Sequence, residues 1–193
     1  RFSKPPLELD VLTESGFALR IIGVHLKSKA PHGAETARDI TRLAISNRRK
    51  QLAQAIWLRA RIDQALEAGT PLIVMGDLND GPGLDNLEDL FGRSSVEIIL
   101  GTDTENPLYD PNASRALSHR FGLVPTTSRF WVKEEGCYLQ ALLDYIMVSA
   151  DLQEFKPQWR IWHPLDDPAC WSNPVLRDAL VTASDHFPVT MDL

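Results

Sequence analysis

Two short segments of this chain place polar groups suited to phosphate chemistry directly beside apolar, strand-like runs. Asp185 and His186 come just before the β-type run that closes the sequence, and Asp77 and Asn79 follow the apolar residues 72–75. A buried carboxylate or imidazole loses solvation free energy, so such groups are usually paired or bind an ion. Carboxylate and carboxamide oxygens are the ligands that Mg²⁺ and Mn²⁺ prefer. The two segments therefore indicate a metal-assisted phosphoryl-transfer site.

Two more side chains have unusual settings, although each has an ordinary explanation. Asp144 interrupts the apolar run 142–148, where burying an unpaired carboxylate costs free energy. The ordinary explanation is that Asp144 merely caps a turn. His25 ends a buried strand, and a single strand histidine is more often a satisfied core residue than a catalyst. Residues 76–80 alone could form an ordinary Asx turn at the end of a strand. Each segment by itself is weak evidence for function.

The elements that must position these groups follow from the hydrophobic pattern. Residues 7–12 alternate and residues 17–26 form a largely apolar run, which together predict a β-hairpin. A polar loop over residues 27–36 leads into a long helix that ends at Gly69, and residues 72–76 form the next strand. This order predicts a layered α/β architecture in which the helix covers a sheet.

The helix should bury one face, formed by its apolar residues, and expose its basic cluster. The residues predicted to lie near the buried face are Ile45, Leu52, Ile56, Ile62 and Leu66, with Trp57 also in the core. Residues 48–50, two arginines and a lysine, are predicted to be solvated.

The second half is less regular. We predict a short helix at residues 86–91 and a polar loop at residues 103–120. Residues 127–132 and 142–148 are predicted to be neighbouring strands joined through a turn at residues 133–136. The connection that follows contains Trp159, Trp162 and Trp171, which either pack under a loop or stack on a ligand.

Composition limits the class of protein. A chain of 193 residues, 44% of them hydrophobic, can build the core of one domain. No segment approaches the roughly 18 apolar residues that a membrane helix needs, and nothing in the sequence fixes a compartment. The net charge of −6 argues against a broad non-specific nucleic-acid surface, but an acidic metal centre would contribute several of those charges, so a nuclease is not excluded. Cys137 and Cys170 are expected to be free, with one disulfide as the alternative.

Four motifs in sequence order resemble one known family. Residues 25–28, 76–80, 143–146 and 184–189, at these spacings, resemble the endonuclease/exonuclease/phosphatase superfamily. That superfamily includes pancreatic-type deoxyribonucleases, apurinic-site endonucleases, inositol-polyphosphate phosphatases and sphingomyelinases. The resemblance implies a four-layered α/β sandwich of the deoxyribonuclease-like type and hydrolysis of phosphate esters that depends on Mg²⁺ or Mn²⁺.

The resemblance also implies roles for the catalytic residues. Asp77 would activate the attacking water with Asn79 as its companion. His25 and His186 would contact the scissile phosphate, and Asp144 would orient His186 through a hydrogen bond. The catalytic residues so assigned are His25, Asp77, Asn79, Asp144 and His186.

Further residues are assigned to the metal and the substrate by the same resemblance. Asp185 would bind the metal directly or through water, together with Asp77 and Asn79. Lys27 and Ser28 are weaker candidates for contacts to the phosphate.

The chain departs from the family pattern before His25. In the family, one strand with an Asn and another with a metal-binding Glu precede the histidine motif. Only 24 residues precede His25 here, and their acidic members, Glu8, Asp10 and Glu14, have no suitable setting. We therefore expect residues 1–193 to form a single, N-terminally incomplete domain that supplies the C-terminal part of the sandwich. Such a chain should bind metal weakly and expose an apolar face. It should then be complemented by another segment such as the missing half, self-associate, or be poorly soluble.

The most direct functional hypothesis is a nuclease or phosphodiesterase that hydrolyses phosphodiester bonds by in-line attack of water. Its partner would be a phosphate-ester substrate, with DNA or another nucleic acid as one class. The alternatives are a phosphatase acting on a small phosphorylated molecule or a lipid head group, and an inactive binding module that lacks the metal-binding Glu.

Overall fold

The computed structural model describes residues 2–82, 90–118, 124–133 and 136–193, and these form a mixed α/β fold. The strands are β1 (Leu7–Leu12), β2 (Ala18–His25), β3 (Leu72–Asp77), β4 (Ser128–Val132), β5 (Cys137–Ala141), β6 (Asp144–Val148), β7 (Gln158–Ile161) and β8 (Val189–Asp192). The helices are α1 (Ala37–Glu67), α2 (Ser95–Leu100), α3 (Pro111–Leu117), α4 (Ala150–Gln153), α5 (Pro168–Ser172) and α6 (Pro174–Ala183). The predicted α/β class is confirmed. The predicted helix at residues 86–91 lies largely outside the described residues.

The main sheet has the strand order β1-β2-β3-β6. β1 and β2 form the predicted antiparallel hairpin, and β3 lies parallel to β2. Such a parallel connection needs a crossover element, which α1 supplies between the two strands. β6 then pairs antiparallel with β3. The carboxyl ends of β2 and β3 consequently meet the amino end of β6 at one edge of the sheet.

The long helix α1 forms where the sequence predicts it. Thr36 caps its amino end, since Oγ1 accepts a hydrogen bond from the Asp39 backbone N–H at 3.2 Å. Beyond the last turn, Gly69 has a φ of 68°, a left-handed conformation that favours glycine. α1 packs its inner face against the main sheet and α2.

The composition of that inner face differs from the prediction. Ile62 is buried, but Ile56 and Trp57 are exposed, while Arg48 is buried rather than solvated. Arg48 is buried because its guanidinium pairs with the buried Asp80 carboxylate, and the inner face also meets backbone carbonyls of the loops at the sheet edge. Gln51 Nε2, for example, donates to the carbonyl oxygens of Lys27, Leu78 and Asn79. Polar donors on the inner face satisfy carbonyls that apolar residues would leave unpaired.

The second face of the main sheet carries a separate apolar cluster. Leu19, Ile73, Ile146 and Val148 project from this face and pack against side chains of the β7–β8 hairpin. Trp159 of β7 packs here, and its Nε1 donates to the Ile146 carbonyl at 2.8 Å. This contact supports the packing interpretation for Trp159. Trp171 is exposed.

The predicted pairing in the second half is wrong in one respect. β4 does not pair with residues 142–148; it turns back at Gly136, whose φ is 62°, and pairs with β5. The β6 strand begins only at Asp144 and joins the main sheet. The intervening strand β5 is mostly exposed, so it lacks the apolar run by which a buried strand is recognised.

The region predicted as a polar loop contains a helix, α3. Asp110 caps it and Pro111 occupies its first turn, a pairing typical of a helix start. Another helix absent from the prediction, α2, begins with a capping box: the Ser94 hydroxyl accepts a hydrogen bond from the Glu97 backbone N–H, and the Glu97 carboxylate accepts one from the Ser94 backbone N–H. Both signals are visible in the sequence.

Two further expectations concern cysteines and membranes. Cys137 and Cys170 are not joined in a disulfide, in line with the prediction. Among the described residues, no helix is long and apolar enough to cross a membrane.

Candidate active site

Three candidate catalytic residues lie side by side across the main sheet. His25 at the end of β2 is in register with Asp77 at the end of β3, and Asp77 is in register with Asp144 at the start of β6. Residues in register on neighbouring strands project from the same face. The sheet therefore presents an imidazole and two carboxylates in one row at its edge, on the face that the β7–β8 hairpin partly covers.

Two residues near the end of β3, Gly76 and Asn79, have positive φ angles. Gly76 has a φ of 136°, and a Cβ at this position would overlap the Val24 carbonyl of the neighbouring strand. Asn79 has a φ of 50°, a left-handed conformation that asparagine tolerates better than most residues. The turn brings the Asn79 side chain back toward Asp77.

Asp77 is held from several sides. Its Oδ1 accepts a hydrogen bond from the Asn79 backbone N–H at 2.7 Å, and its Oδ2 accepts one from Asn79 Nδ2 at 2.9 Å. The same amide nitrogen donates to the Leu26 carbonyl, and His25 Nε2 lies 3.6 Å from Asp77 Oδ2. Burial raises the pKa of the Asp77 carboxyl, and the charge of Asp144 adds to that rise. Asp77 and Asn79 are thus joined by a pair of hydrogen bonds.

The fourth member of the site, His186, comes from the segment just before β8. Its Nδ1 lies 2.9 Å from Asp144 Oδ2, so the hydrogen bond predicted between these two residues is present. This bond raises the pKa of His186 and favours the imidazolium form. With Nδ1 engaged, Nε2 is the ring atom left for other chemistry.

Thr127 is a part of the site that the sequence interpretation did not assign. Its buried hydroxyl donates to Asp144 Oδ2 at 2.8 Å and accepts hydrogen bonds from the backbone N–H groups of Leu143 and Asp144. Its carbonyl accepts a hydrogen bond from the Phe187 backbone N–H at 2.7 Å. Thr127 therefore fastens both Asp144 and the segment that carries His186. A threonine before a strand is so common that the sequence offers little signal for this role.

The loop that follows β3 is held in place by a buried carboxylate, that of Asp80. Asp80 Oδ1 lies 2.6 Å from Lys29 Nζ and 3.2 Å from Arg48 Nη1, and Oδ2 accepts from the backbone and hydroxyl of Ser95. These contacts tie the loop after β3 to α1 and to the start of α2. Asp80 thus supports the site without facing it.

The remaining candidates lie at the margin of this group. Asp185 is exposed, and its carboxylate lies 3.5 Å from Ser184 Oγ, so its metal role stays a prediction. Lys27 meets α1 through its backbone, and the Ser28 hydroxyl accepts a hydrogen bond from the Ala30 backbone N–H. Lys4, which was not assigned, places its ammonium group 3.1 Å from His25 Nδ1.

The donor set suits a divalent cation. Within the described ranges, Asp77, Asp144 and His186 each offer one ligand atom, and these atoms lie within 4.8 Å of one another. Two neighbouring carboxylates repel each other when both are ionised, and a bound cation would remove that repulsion. Both amide protons of Asn79 are used in hydrogen bonds, which leaves its Oδ1 as a further oxygen ligand.

Comparison with known proteins identifies the family of this chain. No curated protein matches the chain significantly in sequence. Among solved structures, the chain is similar to the catalytic domain of human Nocturnin with a bound sulfate anion, with 19% identity and a TM-score of 0.38. The match covers 93% of this chain and 49% of the Nocturnin chain, so the present chain spans about half of that structure. The sequence profile described as "Endonuclease/Exonuclease/phosphatase family" matches residues 6–186. Because this match covers nearly the whole sequence, the chain belongs to the endonuclease/exonuclease/phosphatase family.

Proposed function

We propose that this chain carries the catalytic row of a metal-dependent phosphoesterase, a nuclease or phosphodiesterase that hydrolyses phosphodiester bonds. The observation that carries the proposal is the row of His25, Asp77 and Asp144, with His186 bonded to Asp144. Membership of a family named for nucleases and phosphatases supports a phosphoesterase-type activity. Hydrolysis of a phosphate ester requires an activated water and neutralisation of charge on the phosphoryl oxygens, and the row offers groups for both.

Asp77 is the residue suited to accept a proton from the attacking water. Burial raises the pKa of its carboxyl, and a higher pKa makes the carboxylate a stronger base. The two hydrogen bonds from Asn79 fix the position of both carboxylate oxygens. A fixed base needs no reorganisation before the reaction.

The two histidines are suited to contact the phosphate. The bond to Asp144 favours the imidazolium form of His186, which can donate from Nε2 to a phosphoryl oxygen. His25 lies at the other end of the row and can contact a second oxygen or the leaving group. The two rings thus flank Asp77 and its water.

The cation proposed for this site is Mg²⁺ or Mn²⁺. Asp77 and Asn79 Oδ1 would hold it, and Asp185 is a further candidate ligand. When bound, the cation would neutralise charge on the phosphoryl oxygens.

A phosphodiester fits the row better than a phosphomonoester. A monoester carries about two negative charges at neutral pH, whereas a diester carries about one. Next to Asp77 and Asp144 the additional charge raises the electrostatic cost of binding. A monoesterase acting on a small molecule or a lipid head group is therefore the second candidate, and DNA or another nucleic acid belongs to the first.

The test compares hydrolysis of bis-p-nitrophenyl phosphate, a diester, with that of p-nitrophenyl phosphate, a monoester, at rising Mg²⁺ and with a chelator. We expect hydrolysis of the diester that rises with Mg²⁺ and stops with chelation. Faster hydrolysis of the monoester would favour the phosphatase. No hydrolysis of either, together with no Mg²⁺ binding in calorimetry, would identify an inactive binding module.

A further inference from the structure

A pocket with a volume of about 430 Å³ lies at the end of β6 that is remote from the catalytic row. Tyr109, which lines it, pairs with Val148 at the last position of β6, whereas Asp144 of the row stands at the first. The end residues of a five-residue strand are roughly 13 Å apart. This pocket, the Arg115 pocket, is lined from residues 109–115 and 153–159, and its volume is in the range of small-molecule sites.

The cationic side chains of the Arg115 pocket are not matched by acids. Arg115 of α3 and Lys156 of the α4–β7 turn both line it, and among the described residues no carboxylate does. Asp110 is buried and bonded to backbone N–H groups, and Glu154 is exposed outside the lining. Most of the described arginines pair with a carboxylate, but Arg115 is not one of them. In a chain with a net charge of −6, two such cations in one pocket are suited to attract an anion.

The turn at Lys156 brings polar groups into the pocket. Lys156 has a φ of 57°, a left-handed conformation that costs lysine more free energy than glycine. Its N–H donates to the Gln153 carbonyl at 2.9 Å, and its carbonyl accepts from Gln158 Nε2 at 2.9 Å. Both glutamines line the pocket, and Asn112 of α3 adds a third amide that can donate hydrogen bonds. The backbone would favour glycine at position 156, so the lysine side chain is the feature that needs an explanation.

The other wall of the pocket is aromatic. The rings of Tyr109 and Trp159 have centroids 5.8 Å apart at 81°. Trp159 Nε1 donates to a β6 carbonyl at 2.8 Å, and Tyr109 exchanges two backbone hydrogen bonds with Val148. Pro111 and Pro157 complete the apolar part of the lining. Both aromatic residues are tied to β6 before a ligand arrives, and they offer an apolar surface to a flat ring.

We propose that the Arg115 pocket binds a small phosphate monoester that carries a flat ring, with the phosphate at Arg115 and Lys156 and the ring at Tyr109 and Trp159. A phosphate monoester carries about two negative charges at neutral pH, which matches the two cations. The planar guanidinium of arginine suits phosphate oxygens, and lysine adds a point charge. This is a binding site separate from the catalytic row, and it does not depend on the proposed hydrolysis.

The test follows the indole N–H signal of Trp159 by NMR, because this ring lines the pocket. With a chelator present to prevent hydrolysis, phenyl phosphate should shift the signal until it saturates. Inorganic phosphate lacks the ring and should bind about 2- to 10-fold more weakly, the contribution of one aromatic contact. Benzoate keeps the ring but carries one charge, and it should also bind more weakly.

Two variants each remove one cation from the pocket. Arg115→Ala and Lys156→Gly should each weaken the binding of phenyl phosphate by about tenfold, since each removes a hydrogen bond between charged groups. Glycine suits the left-handed backbone at position 156, so Lys156→Gly keeps the turn. Arg49→Ala is the matched control, because Arg49 is exposed on α1 and does not line the pocket, and it should keep the wild-type affinity.

A Trp159 signal that does not shift, or a shift that neither Arg115→Ala nor Lys156→Gly weakens, would overturn the proposal. Equal affinities for phenyl phosphate and inorganic phosphate would overturn the role of the aromatic wall. The expected binding in a chain that hydrolyses no diester would support this site and count only against the catalytic function.

Discussion

At the scale of residues, the Asp144 carboxylate receives two donors on one oxygen. His186 Nδ1 and Thr127 Oγ1 lie 2.9 Å and 2.8 Å from Asp144 Oδ2. Because Nδ1 bonds to Asp144, Nε2 is the ring nitrogen of His186 that faces away from Asp144. We interpret Asp144 as a positioning residue that acts on the phosphate through His186.

Asp144→Asn should lower the turnover of a phosphodiester by roughly 10²–10⁴-fold, the contribution typical of a positioned acid-base group. The neutral amide no longer supports the imidazolium form of His186, so its pKa should also fall, which NMR titration measures. Asp192→Asn on the exposed part of β8 is the matched control and should change neither quantity. Wild-type turnover in Asp144→Asn would leave Asp144 with a structural role alone.

At the scale of elements, Thr127 connects three parts of the chain. It stands next to β4, bonds to the start of β6 and holds the segment before β8 through Phe187. The carboxylate comes from β6 and the histidine from the segment before β8, so their alignment depends on this junction.

Thr127→Val keeps the shape of the side chain but removes the hydroxyl. Two buried backbone N–H groups then lose their acceptor, and we expect a loss of about 1–3 kcal/mol in the free energy of unfolding. Turnover should fall as well, because Asp144 loses a donor. Thr127→Ser keeps the hydroxyl and should restore most of both quantities. Denaturant unfolding measures the free energy of unfolding, and steady-state kinetics measure the turnover. A Thr127→Val chain with wild-type values of both would contradict this role of Thr127.

Asp110 gives a pH-dependent prediction for the contact between α3 and β6. Its carboxylate caps α3 and accepts a hydrogen bond from the Ile146 N–H at 3.0 Å, and burial raises its pKa from 3.8 to about 6. Because the pKa is raised in the folded state, the folded chain holds this proton more tightly than the unfolded chain does. The stabilisation by the protonated Asp110 carboxyl is therefore present below pH 4 and is lost as the pH rises through 6.

Between pH 4 and pH 7, the free energy of unfolding of the wild type should therefore fall by about 3 kcal/mol relative to Asp110→Asn. The quantity to follow is the difference between the two chains, since the amide also changes the cap by an amount independent of pH. A difference that stays flat over this range would show that the three backbone donors offset the burial of the charge.

The sequence predicts the elements that carry strong periodicity or clear end signals. The β1–β2 hairpin, α1 and β3 carry these signals, whereas catalytic roles for His25, Asp77 and Asp144 follow only from the family resemblance. Strand β5 was missed because its exposed residues follow no burial pattern. The burial of Arg48 was missed because its partner, Asp80, lies far along the chain and becomes its neighbour only in the fold.

At the scale of the whole molecule, the second face of the main sheet is only partly covered. The β7–β8 hairpin packs over the part formed by β3 and β6, while Leu7 and Leu9 on the β1 side are 59% and 46% exposed. Met75 on the same face is exposed as well. An apolar edge of this kind favours association with another segment or another copy.

We therefore expect the isolated chain to have a solution mass above that of one chain, measured by light scattering after size exclusion. Replacing Leu7 and Leu9 with lysine should shift it toward the monomer. Leu12→Lys is the matched control, because Leu12 is exposed on the same strand but projects from the opposite face. A monomeric wild type at high concentration would contradict the expectation of self-association.

We propose that His25, Asp77, Asp144 and His186 form one metal-dependent hydrolytic centre with Asp77 as its base. Its most direct test is the kcat/KM of Asp77→Asn for bis-p-nitrophenyl phosphate at saturating Mg²⁺, compared with the wild type. The amide has nearly the shape of the carboxylate but accepts no proton from water. We expect kcat/KM to fall at least about 10²-fold. A variant as active as the wild type would contradict it.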